Sequence, residues 1–386
     1  MIERAMKQKL LDLAQKMPVI GLVGPRQSGK TTLAQEAFPG YMYVSLEDLK
    51  MREFALQDPH AFFKRYENAP GLILDEIQEA PELLSYIQVY SDAYKRPGYF
   101  ILTGSQNFLV HDAITQTLAG RIALFTLLPL SIAELQHAGL LPGMIEECVF
   151  RGQYPRVYDA SLEPTEWFPS YVRTYVERDV RNIRQIVDFS LFQRFLGLCA
   201  GRIGQLLNVT SLANDCGITV ATANAWLSLL EASFIIFLLQ PYYKNFGKRL
   251  IKSPKLYFYD TGLACSLLGI ESVEQVMRHY LRGGLIESLV LCEFLKQRYN
   301  QGLSSNLYFW RDKTGHEIDG LIVRGDVMVP IEVKAGMTVS QGYFDGLRYW
   351  YELTESAPNG LVVYAGAESQ KRSLGTVVSW RSIEVA

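Results

Sequence analysis

Apolar residues fall along this chain in two kinds of run, and their order already divides it into regions. Near the start, PVIGLV, GLILD and GYFIL are unbroken apolar stretches bounded by glycine, proline or acids. Runs of that length without alternation suit strands buried on both faces of a parallel sheet. The opening MIERAMKQKLLDLAQK has helical spacing interrupted by charge. After Glu134 the pattern turns helical and rich in aromatic residues. LFQRFLGLCAGRIGQLL predicts one helix, SLANDCGI a short helix ending in a glycine turn, and VATANAWLSLLEA another. Two strands, SFIIFLLQPYY and KLYFYDTG, then flank the basic loop KNFGKRLIKSPK. Helix, turn, helix and hairpin make a winged-helix arrangement. Last come the amphipathic helix GLIESLVLCEFLKQRY and two strands, YFWRDKTGHEIDGLIV and DVMVPIEVKAG, turning at Arg324-Gly325-Asp326. A helix near 342–353 and strands near 361–364 and 377–380 would complete a mixed α/β sheet.

Composition narrows the class without naming a partner. With 386 residues the chain suits two or three domains, and 48% hydrophobic with 20% charged residues is a folded composition. The five cysteines are scattered and never spaced as CxxC, which argues for reduced thiols in a cytoplasmic protein and against a disulfide scaffold or a zinc site. The N-terminus does not read as a signal peptide, and no apolar run is long enough to span a bilayer, so no membrane partner is expected. A net charge of −2 leaves room for a local nucleic-acid surface.

The strand–loop–helix segment PVIGLVGPRQSGKTTLAQEAF carries the most specific chemistry. Gly24, Gly29, Lys30 and Thr31 satisfy GxxxxGK[ST]. Such a loop, here Gly24, Pro25, Arg26, Gln27, Ser28 and Gly29 followed by Lys30, Thr31 and Thr32, curls backbone N–H groups around phosphates, and glycine permits the close approach. The following helix directs its positive end at the same charge. Lys30 would reach the β- and γ-phosphates of ATP, and Thr31 would ligate Mg2+. GLILDEIQ ends a buried strand in Asp75, which would hold the metal, and Glu76, which would polarise the attacking water.

A second constellation lies near the C-terminus. Asp319, Glu332 and Lys334 sit on two adjacent strands, with Glu332 and Lys334 two apart and so on one face. Two carboxylates and a lysine suit metal-assisted phosphodiester hydrolysis: Asp319 and Glu332 would bind Mg2+ or Mn2+, and Lys334 would orient water. His316 beside them reads as structural, and Phe309 and Trp310 as core. In the winged-helix region, Thr219, Thr222 and Asn224 would face a DNA groove, with Lys244, Lys248, Arg249, Lys252 and Lys255 on phosphates. Protein packing is an equal alternative for that module. Tyr171, Tyr175 and the pair Arg178/Asp179 read as structural.

Taken in order, GPRQSGKTT, LDEIQ, LTGSQ, AGRI with PLS following, RGQYP, YVERDV, SPKLYFYDTGLA, GLIESLV, WRDKTGHEID and PIEVKAG resemble a bacterial and archaeal family of AAA-type ATPases. Its members carry a C-terminal domain like the PD-(D/E)xK restriction nucleases, and the likeness spans roughly residues 15 to 340. It implies an α/β architecture in three parts: an AAA-type ATPase domain with a parallel sheet (1–140), a helical and winged-helix domain (141–270), and a mixed nuclease-like domain (271–386). It also implies a γ-phosphate sensor among Thr103, Ser105, Gln106 and Asn107, and a place for Arg121 as a finger or sensor arginine, which in trans would require a homo-oligomer. A surface ion pair is the alternative for Arg121. Glu287 would complete the nuclease-like site, although Ile318 stands where the family's motif has proline. The expected activity is Mg2+-dependent ATP hydrolysis coupled to DNA binding or cleavage. The alternative is a nucleotide-switched regulator that binds DNA or protein through a catalytically silent nuclease-like domain.

Overall fold

Short apolar strands joined by helices account for the first of two structural units. A computed structural model describes residues 2–105, 117–176, 189–243 and 251–383. Gln106, Asn107, Arg178, Asp179, Lys244, Lys248 and Arg249 lie outside the described residues, as do the side-chain surroundings of Tyr175. Unit one holds Met1–Leu130 with two returning pieces, Ala232–Phe234 and Lys296–Ser304. Its elements are α1 (Lys7–Ala14), β1 (Val19–Val23), α2 (Lys30–Ala37), β2 (Met42–Ser45), α3 (Leu49–Gln57), α4 (Pro59–Tyr66), β3 (Leu72–Asp75), α5 (Leu83–Tyr94), β4 (Phe100–Gly104) and β5 (Ile122–Thr126).

The sheet runs β2-β3-β4-β1-β5, and every pairing in it is parallel. All five strands therefore deliver their C-terminal ends to one edge, where ligands of open α/β sheets bind. Burial on both faces explains the unbroken apolar runs: β1, β3 and β4 are buried at every position. One face packs Ile20, Leu22, Ile73 and Ile101 against Leu10 of α1 and Leu33 of α2. Local signals set the helix starts. Asp48 caps α3 by accepting from Lys50 N and Met51 N, and Asp58 caps α4 ahead of Pro59.

The second unit comprises Ser131–Glu231, Ile235–Leu295 and Ser305–Ala386. It opens with α6 (Ile132–His137), whose Ser131 and Glu134 form a capping box, then α7 (Ile145–Arg151), α8 (Pro155–Asp159) and α9 (Pro164–Tyr171). Next come α10 (Phe189–Ala200), α11 (Val209–Cys216), α12 (Val220–Ala232) and the antiparallel pair β6 (Ile236–Leu239) and β7 (Lys255–Phe258). After α13 (Thr261–Leu267), α14 (Val273–Arg278) and α15 (Arg282–Asn300), a mixed sheet forms. It contains β8 (Leu307–Arg311), β9 (Glu317–Arg324), β10 (Val327–Lys334), β11 (Leu361–Tyr364), β12 (Gln370–Arg372) and β13 (Gly375–Ser379), with α16 (Asp345–Thr354) between β10 and β11. Its order is β12-β13-β11-β10-β9-β8, and Trp310, Leu321, Trp350 and Val362 share its core.

Two sequence expectations change. The helix beginning at Leu191 stops at Ala200, because Gly204 adopts φ +76° and passes close to α15, where a Cβ would lie 3.0 Å from Gly284 Cα. The stretch YFWRDKTGHEIDGLIV is two strands. Asp312 turns the chain by accepting from the N–H groups of Thr314, Gly315 and His316, and Gly315 takes φ +101°. The second unit, which starts at Ser131, holds both the middle and the C-terminal segments. Its hairpin pairs Pro241 with Phe309 of β8, and Lys255 of β7 is ion-paired to Glu287 and Glu317. Among the described residues, no helix is long and apolar enough to cross a membrane.

Candidate functional site

The sheet edge of unit one gathers the loop after β1, the acids after β3 and the polar residues after β4. Gly24 leaves β1 with φ +149°, and a Cβ there would sit 2.2 Å from the Leu127 carbonyl oxygen. Only glycine fits. Gln27 and Gly29 also take left-handed conformations, which curls the loop before α2 begins at Lys30. Ser28 Oγ is buried and has no hydrogen-bond partner, so the loop keeps an unsatisfied polar group inside its curl. Lys30 is buried, and its Nζ donates to the carbonyls of Gly24 (3.0 Å) and Pro25 (2.8 Å). A cationic lysine folded over its own loop, at a helix N-terminus with an orphaned hydroxyl, is a donor set for a polyphosphate. Arg26 is buried with Nη1 3.5 Å from Glu47, whereas Thr32 is exposed on α2.

Asp75 is the hub of this edge. Its Oδ1 accepts from Thr31 Oγ1 at 2.8 Å and from Thr103 Oγ1 in a shorter bond, and its Oδ2 accepts from Tyr43 OH at 2.8 Å. Burial, reinforced by Asp75, pushes the Tyr43 phenol up to about 12, so it remains a donor. Thr103 also accepts from Glu76 N (3.2 Å) and thus ties the two acids to β4. The hard oxygens of Thr31 and Asp75 fit a divalent cation.

Glu76 stands in a left-handed conformation (φ 57°) at the start of a short 3-10 turn. Gln78 Nε2 donates to its carboxylate and to Ser105 Oγ (3.0 Å). Burial opposes ionisation of Glu76, but nearby Lys30, with help from Gln78 and Arg26, outweighs it and keeps the carboxyl below its usual range. The carboxylate is therefore charged and oriented.

Arg121 does not join this group. It precedes β5, level with the start of β1, where its carbonyl accepts from Val19 N. That is the sheet end opposite the loop. Its guanidinium grips Asp92 of α5 through Nε (2.7 Å) and Nη2 (2.9 Å), so the ion-pair alternative describes it. Sequence reading missed Tyr43, Gln78 and Arg4. Arg4 is buried and donates to the Ser28 carbonyl (2.6 Å) and the Leu128 carbonyl (2.7 Å), bracing the loop from 24 and 124 residues away. No local pattern announces such a contact. Gln78 was within reach, standing two residues beyond the acids.

The C-terminal acids meet differently from expectation. Carboxylate oxygens of Glu287 (α15), Glu317 and Asp319 (both β9) lie within 4.8 Å of one another. Glu332 is not in that set: it pairs with Lys334 (2.5 Å) and packs its Oε1 against Gly346. Asp319 Oδ2 accepts from Val333 N at 2.9 Å. A cation already sits among the acids. Lys255 Nζ lies 2.7 Å from Glu287 and 2.5 Å from Glu317, with only 4% of its side chain exposed. Burial would depress its ammonium, but Glu287, Asp319 and Glu317 outweigh that and raise it. Tyr257 donates to Glu287, and Arg311 pairs with Glu317 at 2.8 Å. One expectation is corrected here. Lys255 is an internal counter-ion and not a phosphate contact on a wing. Lys255 supplies the positive charge that balances Glu287 and Glu317 in this arrangement. Sequence reading left out Tyr257 and Glu317, although Lys255 and Tyr257 stand two apart on one face of β7, as Glu317 and Asp319 do on β9.

Burial raises the Glu287 carboxyl to about 7 despite Lys255, and burial beside Asp319 raises Glu332 as well. Lys334 is raised because Asp319 and Glu332 overcome its desolvation. His316 stacks on Tyr349 at 3.7 Å in the β8–β9 turn. On α12, Thr219 and Asn224 are exposed, and Thr219 caps the helix by accepting from Thr222 N. Lys252 is exposed.

Comparison with known proteins matches three successive segments of the chain. The family model described as AAA domain matches residues 16–136. Two models described as Domain of unknown function match residues 143–274 (DUF8612) and 282–383 (DUF4143). An uncharacterized protein of Mycobacterium tuberculosis is 28% identical over 332 residues, which is 84% of this chain and 72% of that protein. One of Haemophilus influenzae is 25% identical over 308 residues, 72% of this chain and 74% of its own length. Among solved structures, the Walker-type ATPase of Pyrococcus abyssi has 15% identity and a TM-score of 0.44, covering 69% of this chain and 96% of that one. The family match and the parallel sheet together make the N-terminal part an AAA-type P-loop ATPase-like domain.

Proposed function

We propose, from an AAA-type P-loop domain over residues 16–136, that this protein is an ATP hydrolase acting with Mg2+. The observation that carries the reading is the Thr31–Asp75 hydrogen bond, which brings the phosphate loop and the acid after β3 to one point. Backbone N–H groups from Gly24 to Gly29 would receive the phosphates, and Lys30 would exchange its loop carbonyls for phosphate oxygens. Thr31 and Asp75 would hold Mg2+, which when bound neutralises phosphate charge. Glu76, ionised and fixed, would accept a proton from the attacking water, with Thr103 and Ser105 at the adjacent strand end. Replacing Glu76 with Gln tests this. The variant should still bind ATP while hydrolysis falls by roughly 100-fold or more. Hydrolysis at the wild-type rate would remove Glu76 from the reaction.

A specific observation favours a second reading for the C-terminal region. Lys255 pairs with Glu287, the helix carboxylate of the nuclease-like site, and with Glu317 beside it, which supports a nucleotide-switched binding module with a silent nuclease-like domain. DNA is the partner first to test, through the helix–hairpin segment with its exposed Lys252. Filter binding across salt should show a steep slope if phosphates are contacted. Incubation with linear and circular DNA, ATP and Mg2+ or Mn2+ should give no cleavage. Cleavage abolished by Lys334→Ala would restore the nuclease reading.

A further inference from the structure

One amide in the nucleotide edge has no part in the reading above. Gln78 is the second residue after Glu76, and its Nε2 carries two N–H groups. One goes to the Glu76 carboxylate and the other to Ser105 Oγ at 3.0 Å. A carboxylate accepts only, so the amide nitrogen must face it. The carbonyl oxygen then points elsewhere, and Gln78 Oε1 is indeed buried without a hydrogen-bond partner. Glu76 itself is held in a left-handed conformation that a non-glycine residue adopts only under constraint. The second anchor is Thr103, which accepts from Glu76 N. Backbone and carboxylate are thus fixed by separate groups, both connected to the end of β4.

Resting on the ATPase reading, we propose that Gln78 is a positioning residue: it aims the Glu76 carboxylate and links it to Ser105. A phosphate engaging Ser105 would alter the bond that Ser105 makes to Gln78, so occupancy at the end of β4 would be felt at Glu76. Nothing in this arrangement requires Gln78 to touch nucleotide.

Methionine matches glutamine in length but has no donor and no strong acceptor, so Gln78→Met isolates the hydrogen bonds from packing. In Mg2+-ATPase assays of the full chain, kcat should fall by roughly 10- to 100-fold, with KM and ATP affinity nearly unchanged. Ser105→Ala should act in the same direction more weakly. The double variant Gln78→Met/Ser105→Ala should be no slower than Gln78→Met alone, since both act through one hydrogen-bonded unit. A folded Gln78→Met protein with kcat within about twofold of wild type would overturn the proposal. So would losses that multiply in the double variant. If Glu76→Gln hydrolyses ATP normally, the site reading fails first and takes this proposal with it.

Discussion

Thr31 Oγ1 and Asp75 Oδ1 lie 2.8 Å apart although 44 residues separate them in the chain. The bond couples the first turn of α2 to the end of β3, and Asp75 also receives Tyr43 and Thr103. Asp75→Ala would strand three hydroxyl donors. We expect a loss of about 2–3 kcal/mol in urea unfolding together with loss of Mg2+-ATPase activity. Asp75→Asn should keep more of the stability and still be inactive. Full activity in either variant would contradict the site.

Lys255 is expected to dominate the stability of the second unit. Replacing it with methionine leaves Glu287 and Glu317 without their ammonium, which should destabilise the fold by about 3–5 kcal/mol. Adding Glu287→Gln and Glu317→Gln to Lys255→Met should recover much of that loss. Thermal unfolding of the set distinguishes this from a simple packing defect, in which the extra substitutions would make matters worse.

Glu287 predicts a pH dependence with a definite sign. Its folded carboxyl titrates at about 7, above the unfolded value, so the folded state retains a proton that the unfolded state has released. The associated stability is complete below about pH 4.5 and is lost as pH rises through about 7, to an upper limit of about 3 kcal/mol. Urea unfolding at about pH 5 and about pH 8 should show the fall, and Glu287→Gln should flatten it. A difference unchanged by that substitution would assign the effect to other groups.

Arg121→Ala should leave ATP hydrolysis within about twofold of wild type, because its partner Asp92 is on α5 and exposed, at the sheet end away from the loop. A tenfold or greater loss that returns on mixing with an Arg121-intact, Lys30→Ala protein would instead show it acting on a second copy of the chain.

The nucleotide edge was largely legible in the sequence because its determinants are local. A glycine loop announces its own backbone, and an apolar run ending in two acids announces a buried strand that emerges at the functional edge. The β6–β7 pair and the acids on β9 and β10 were equally readable. What escaped depends on contacts between distant segments. Arg4 reaches Ser28 and Leu128 across the fold, and Lys255 meets Glu287 and Glu317 only once the hairpin lies against α15 and β9. The basic stretch KNFGKRLIKSPK looked uniformly solvated, yet its last lysine is buried. Charge alone does not tell a phosphate contact from a counter-ion. The strand YFWRDKTGHEIDGLIV was read as continuous because apolar residues bracket the turn, while the turn itself is made by one aspartate side chain and a glycine.

Calorimetric titration of Mg2+-ATP into the full chain and into Lys30→Ala tests the central claim most directly. The account predicts saturable one-to-one binding to wild type, and a loss of affinity of roughly 100-fold or more in a Lys30→Ala protein whose melting temperature is maintained. Equal heats from the two proteins, or none from wild type, would contradict it.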